Sequence, residues 1–571
     1  MTHRAHLFAL AVLLAGCGAK PSDTFSPFAE DFFREGFEFR PSTGTAAGFH
    51  EYDAKFEDYS AEAFGKRIGS LHEFAGRLAK LRASKLSESD AIDAELIDGA
   101  IKSELLDLEV FETWKQNPMG YIALPGEAID GLMKRNFAPP KVRLRSVIAR
   151  LKGVPTVLAA MRKNMANPPK EFTDIAIRLA EGSTGFFKDT IAAWAKDAAG
   201  GDDALLKEFA AVNSPAADAM REAAGWLKKD LLPRSAGKFA IGAENFSRKL
   251  LYDDMVDLPL DKILAIGEAN LAKDYAAFVE TAKRVAPGKT PMQAMNVLNA
   301  DHPSEADQLA FAGRSIDAAR QFIIDKQIVT LPSGVRPIIQ ETPPFERAGS
   351  FASMDTPGPY ETKATEAFYY VTPPEKNWDA KHKEEHLRGF NKAVMDMTTV
   401  HEAYPGHFTQ FVYASQFPTK TRKLIGANTN AEGWAHYTEQ MMLEEGFGGG
   451  DPKIRLAQLE EALLRDCRYV AGIKMHTQGM TVEKAAELFV EKGVQQPANA
   501  YEEARRGTYN PTYLYYTLGK LQIYKLREDY KRAKGAAFTL RGFHDEFVKA
   551  GPMPLKLMRR VLLPGDAAPV L

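Results

Sequence analysis

Two imidazoles and a carboxylate stand close together in Val400-His401-Glu402-Ala403-Tyr404-Pro405-Gly406-His407. Neutral imidazoles are good zinc ligands, and a carboxylate beside them can take a proton from a water polarised by the metal. That is half of a hydrolytic site. The spacing differs from the H-E-x-x-H helix, whose histidines four apart share one face. Six residues advance about 600° around a helix, so the two rings would point some 120° apart. A continuous helix cannot bring them together. Pro405 cannot donate to the His401 carbonyl, and Gly406 tolerates backbone angles closed to other residues. A break or bulge is therefore expected to swing His407 back towards His401. A catalytic zinc usually takes a third protein ligand and keeps one position open. Glu432, in Asn430-Ala431-Glu432-Gly433-Trp434-Ala435-His436-Tyr437, is the candidate. The interval lets a first helix end at Phe417-Pro418 and a second return antiparallel, packed through Trp434, Tyr437, Met441 and Met442.

Taken together, His401-Glu402-x-x-Pro405-Gly406-His407-x-x-Gln410, Glu432-Gly433-Trp434-Ala435-x-Tyr437 and Tyr516-x-x-Gly519 resemble the DUF885 family of bacterial proteins, taken to be metallopeptidases. That family is distantly similar to helical zinc carboxypeptidases and oligopeptidases of the gluzincin type. The resemblance covers roughly residues 25 to 565, with its motifs all after residue 400. It implies zinc on His401, His407 and Glu432, with Glu402 as general base. It also implies Tyr516 as the phenol that stabilises an oxyanion, and Arg506, at a family arginine position, as a bidentate anchor for a substrate carboxylate. Gln410 and His436 are expected to support the ligands from behind. His436 replaces a residue that is often apolar in the family, and its place four residues after Glu432 leaves competition for the metal as the alternative.

The elements that must position these groups are mostly helices. Apolar residues recur at three and four in Phe64 to Leu81, Ile92 to Trp114, Val142 to Met161, Phe172 to Ala195 and Leu205 to Leu227, with breaks at Asn117-Pro118, Asn167-Pro168-Pro169 and Gly200-Gly201. Further helices are expected over Lys453 to His476 and Val482 to Lys492. Between Gln327 and Pro374 the character changes: Ile328 to Leu331, Val335 to Ile339 and Ala367 to Val371 have strand-like enrichment. The expected fold is thus mainly α, a multi-helical metallopeptidase-like body with a deep cleft and a small β-sheet next to the metal-binding helix. Residues 26–326 would form the helical walls and 327–571 the catalytic region. Ala367 to Val371 is the expected edge strand, where an extended peptide could pair and meet Tyr369 and Tyr370. A rival motif, His382-Lys383-Glu384-Glu385-His386, matches H-x-x-E-H, but its lysines and arginine mark a solvated face rather than a shaped metal cavity.

Arg4 and the apolar run Leu7 to Leu14 suit an export signal over residues 1–16. Leu14-Ala15-Gly16-Cys17 resembles a bacterial lipobox, so Cys17 is expected to carry lipid and residues 17–25 to form a tether from the membrane to a periplasmic body. Cys467 is then the sole thiol, a small packing residue, and no intramolecular disulfide can form. With 73 basic and 75 acidic residues the net charge is -2, which leaves no nucleic-acid footprint. No G-x-S-x-G elbow, P-loop or dinucleotide fingerprint occurs. The expectation is a zinc-dependent peptidase acting on peptide substrates, with no oligomeric state specified. A peptide-binding envelope lipoprotein with a structural metal, and a zinc hydrolase of another amide or ester, are the alternatives.

Overall fold

Helices form where the apolar period and the breakers place them. The computed structural model describes residues 24–332, 334–343, 347 and 351–571. The expected signal, Cys17 and the tether up to residue 23 lie outside the described residues. Phe25, expected to close the tether, instead starts the helix Phe25–Phe39 with its ring buried. The predicted helical runs are seen as Ala61–Arg82, Glu88–Leu105, Pro140–Asn164, Lys170–Gly185 continuing through a π-turn into Ile191–Ala199, and Asp203–Trp226. Ser60, Ser87 and Asp202 each accept from a backbone N–H of the first turn, which fixes three of the starts.

Two hydrophobic cores organise these helices. One gathers residues from Phe25 to Leu231; the other runs from Phe246 through the C-terminal helices and also takes in Ile92 and Leu96. The helices Ala243–Asp254, Leu260–Val285 and Gln308–Asp325 bury their apolar faces in the second of these cores, together with the helices that carry the site.

A three-stranded sheet stands beside the helix Lys392–Glu402. Its strands are β1 (Ile338–Glu341), β2 (Ala352–Asp355) and β3 (Phe368–Val371), in the order β1-β3-β2, with β1 parallel and β2 antiparallel to β3. The strand expected at the edge is thus the central one. Its backbone is paired on both sides, and all four of its side chains are buried. Tyr369 is fully enclosed with its hydroxyl 3.2 Å from that of Thr399, and Tyr370 is 3% exposed, so neither is free to receive a peptide along that strand. Ile328 to Leu331 is not a strand.

Candidate metal centre

The helix carrying His401 ends at Glu402 rather than near Phe417. Ala403 leaves helical geometry at φ −110°, ψ −80°, the Tyr404–Pro405 peptide is cis, and Gly406 at φ −69°, ψ −133° leads into a new short helix, His407–Phe411. Glycine is needed at 406 for proximity rather than for a left-handed conformation. A Cβ there would stand 1.7 Å from the His401 carbonyl oxygen and 2.5 Å from that of Val400. The fold-back is held by hydrogen bonds from the Gly406 N–H to the Val400 carbonyl (3.0 Å) and from the Trp434 indole to the Pro405 carbonyl (2.9 Å). The expected break is present, and it turns His407 so that its ring centroid lies 4.9 Å from that of His401.

Glu432 arrives on the helix Asn428–Glu444. This helix crosses Tyr515–Lys534 at two glycines: a Cβ on Gly433 would lie 2.6 Å from Gly519 Cα, and one on Gly519 would lie 1.9 Å from the Thr429 carbonyl oxygen. Close approach of the two backbones brings Tyr516 to the same place as Glu432. Gln410 ties the His407 helix to the start of this one by donating to Asn430 (2.8 Å), whose own amide donates to the Met553 carbonyl (2.7 Å).

At the start of the same helix, the Thr429 N–H and hydroxyl both donate to buried Asp254, at 2.8 and 2.7 Å. Burial raises the Asp254 pKa from 3.8 to about 6, against the pull of those two bonds. The folded carboxyl therefore keeps its proton to a higher pH than the unfolded one. Its stabilising contribution is full below pH 3.8 and is lost as pH rises through about 6. Asp254→Asn retains an acceptor and cannot ionise. Between pH 4 and pH 8 the unfolding free energy of the variant should gain about 2 kcal/mol on that of the parent. A pH-independent gap in denaturant titrations would contradict this.

His401, His407 and Glu432 are the one group of three or more potential metal ligands found among the described residues, with ligating atoms all within 4.8 Å of one another. Glu432 Oε2 stands 3.5 Å from His401 Nε2 and 3.4 Å from His407 Nε2. The edge of a tetrahedron with bonds of about 2.0–2.1 Å is roughly 3.3–3.4 Å, so these separations suit a zinc ion between the donors. Glu432 Oε2 is buried and has no hydrogen-bond partner among the described residues, as expected of an atom that faces an ion. Two imidazoles and one carboxylate are a donor set of the zinc type.

Glu439 was not foreseen. It is fully buried two turns after Glu432 and accepts from His401 Nδ1 at 2.7 Å and His436 Nδ1 at 3.1 Å, with Arg465 at 3.4 Å. An ionised carboxylate only accepts, so Glu439 fixes a proton on His401 Nδ1 and leaves Nε2, which faces Glu432 and His407, as the nitrogen that would give up its proton to bind an ion. Burial works to raise the Glu439 pKa, but Arg465 and the two histidines hold it well below the carboxylate range. For His401, burial is outweighed by the hydrogen bonds to Glu432 and Glu439, and its pKa rises to about 9. His436 is enclosed behind the site and lies outside the trio. Burial, reinforced by the Lys520 charge, lowers its pKa to about 3 and keeps it neutral. The available signal for Glu439 was its spacing: seven residues from Glu432 returns to nearly the same helical face. Glu439→Gln should weaken metal binding by about 10–100-fold, measured as the dissociation constant in a competition titration. Unchanged affinity would remove Glu439 from the site.

Glu402 is half-buried beside His401, and no hydrogen bond or ion pair within the described residues engages its carboxylate. The Tyr516 ring lies 6.4 Å from that of His401, and its oxygen accepts from Arg506 Nη2 at 3.3 Å, which leaves the phenol proton free to donate. Burial and the Glu432 charge push the Tyr516 pKa up, against Arg468 and Arg506, so the phenol stays protonated. The rival histidines do not converge: His382 is largely exposed beside Asp379, and His386 Nε2 donates to the Thr372 carbonyl. Cys467 is buried, with its thiol donating towards the Leu488 carbonyl at 3.6 Å.

The fold thus defines a mainly helical protein that brings two histidines and one glutamate together at a helix break. Residues 41–562 match the family described as "Bacterial protein of unknown function (DUF885)", and the chain belongs to that family. Two solved structures are similar over nearly the whole chain. One, described as a "putative lipoprotein of unknown function" from Shewanella oneidensis, is 29% identical, with a TM-score of 0.78 over 95% of this chain and 100% of its own. The other, a "putative lipoprotein" from Colwellia psychrerythraea, is 19% identical, with a TM-score of 0.79 over 94% and 98%, and speaks for the fold alone. No curated protein matches the chain.

Proposed function

We propose that this protein is a zinc-dependent peptidase of the bacterial envelope, anchored by lipid on Cys17 with its body in the periplasm. The observation that carries the chemistry is the trio His401, His407 and Glu432 at tetrahedral-edge spacing, with the unengaged carboxylate of Glu402 next to it. The sequence Leu14-Ala15-Gly16-Cys17 and the lipoprotein description of the 29% identical Shewanella oneidensis structure support the anchor.

A divalent ion in the trio supplies Lewis acidity for a water molecule and for the carbonyl of the bond to be cut. His401, fixed by Glu439, and His407, placed by the Gly406 fold-back, hold that ion with Glu432. Glu402 removes a proton from the attacking water and passes it to the departing amine nitrogen. The Tyr516 hydroxyl donates to the oxygen on which negative charge develops, while Arg506 fixes the phenol from its other side.

The test is to incubate the zinc-loaded mature protein with a mixture of unmodified peptides and identify products by mass. Cleavage that a chelator stops and zinc restores is expected. Peptides that bind and emerge intact would make the protein a binding lipoprotein instead.

A further inference from the structure

The helix Glu88–Leu105 is shared between the two cores: Leu96 belongs to one, Ile97 and Ile101 to the other. Where it passes Ala243–Asp254 and the start of Asn428–Glu444, the packing leaves a cavity of about 400 Å³. Small-molecule pockets measure roughly 300–1,000 Å³. Five charged side chains line the cavity, all half-buried: Arg40, Glu104, Asp107, Lys249 and Asp253. Arg40 pairs with Glu104 at 2.8 Å, and Arg67, behind the wall, meets the other Glu104 oxygen at 2.7 Å and also Glu35. Lys249 pairs with Asp253 at 2.7 Å, and Ser103 donates to that carboxylate. Asp107 is different. It accepts from the Thr113 hydroxyl at 2.6 Å, yet no cation among the described residues lies within ion-pair distance of it. Burial raises its pKa, against the Thr113 hydroxyl and the Lys249 charge. Arg40, Arg67 and Lys249 thus stand against Glu35, Glu104, Asp107 and Asp253, which leaves one carboxylate in excess. A partly desolvated carboxylate without a counter-charge is unfavourable, and a cationic guest relieves it.

We infer that this cavity binds a primary ammonium carried on a small apolar body, the ammonium at Asp107 and the body against Leu96, Met255 and Ile425. Thr113 already holds Asp107 Oδ2, so the other oxygen offers a single-point contact. That suits a compact ammonium better than the two-point fork of a guanidinium. The exposed rim, Gly426 and Asn428, includes the start of a helix, where an anion would gain from roughly half a positive charge. The full negative charge of Asp107 outweighs it, and the Thr429 N–H of that first turn is engaged by Asp254. A cation is therefore the favoured guest. Two sources share this chemistry, a free organic amine and the amino end of a peptide. Such a site needs neither the metal trio nor peptide cleavage, although Glu432 follows Asn428 by one turn on the same helix.

The test titrates leucinamide, acetyl-leucinamide and acetyl-leucine calorimetrically into the mature protein, both metal-stripped and zinc-loaded. Leucinamide should bind about 10–100-fold more tightly than its neutral acetyl derivative, equally with and without zinc, and acetyl-leucine should bind least. Asp107→Asn keeps an acceptor for Thr113 and should erase the preference for the amine. Lys249→Met frees Asp253 for the guest and should strengthen that preference by about 2–10-fold, a gain that damage to the fold cannot produce. A Leu-Ala-Ala amide with a free amino end that matches leucinamide assigns the site to peptide ends, and its exclusion assigns the site to free amines; either result supports the ammonium site. Leucinamide that fails to bind, or binds no better than acetyl-leucinamide, overturns the proposal. So does a preference that survives Asp107→Asn or appears only with zinc. Tighter binding of acetyl-leucine also overturns it, by making the cavity an anion site.

Discussion

Glu402→Gln is expected to hold as much zinc as the parent and to cut peptides on the order of 10²–10⁴-fold more slowly. Glutamine has nearly the shape of glutamate and cannot accept the proton of the attacking water. The metal-binding trio should not notice the change, because Glu402 lies outside it and engages no neighbour by hydrogen bond or ion pair within the described residues. The two readouts separate chemistry from assembly: metal content reports the trio, and turnover reports the base. Equal turnover in variant and parent would remove Glu402 from the mechanism. Loss of zinc from the variant would instead place it among the ligands.

Gly406→Ala should damage the site itself. A methyl group would fall 1.7 Å from the carbonyl oxygen of His401, and the obstruction is backbone, which cannot rotate away as a flexible side chain can. Making room means shifting the end of the His401 helix or opening the fold-back, and either moves one imidazole away from the other. A cost of about 1–3 kcal/mol in unfolding free energy is expected, together with zinc binding weakened by at least about 100-fold. Gly65→Ala is the control. Gly65 is inside the helix Ala61–Arg82 with nothing within 4 Å of an added Cβ, and alanine there should be neutral or stabilising by up to about 1 kcal/mol. A Gly406→Ala protein with parental zinc affinity would mean that the break does not depend on that close approach.

Why some of this was legible in the chain and some was not has local causes. Six-residue spacing with Pro405 and Gly406 between the histidines announces a break, because a missing donor and a missing Cβ are properties of single residues. A second reason for glycine, the nearness of the His401 carbonyl, was not visible because it exists only once the chain has folded back. Helix spans followed the apolar period closely, whereas the end at Glu402 came much earlier than Phe417-Pro418. Tertiary ties from Trp434 and Gln410 replace helical continuity there.

The sheet was misread for a similar reason. Ala352 to Asp355 carries little strand enrichment, so the neighbour that makes β3 central could not be seen. Glu439, Arg465 and Arg468 escaped notice because their pairings join distant segments, and charged residues on a helix are ordinarily solvated. Gly433 and Gly519 entered as motif letters, and the crossing of their two helices gives those letters a physical reason.

The most direct test of the account is the zinc content of the purified mature protein beside its His401→Ala variant, each dialysed against metal-free buffer after loading. One ion per parent chain and none retained by the variant is the predicted result. A parent that holds no ion, or a variant that holds it equally well, would contradict the claim that His401, His407 and Glu432 form one cation site.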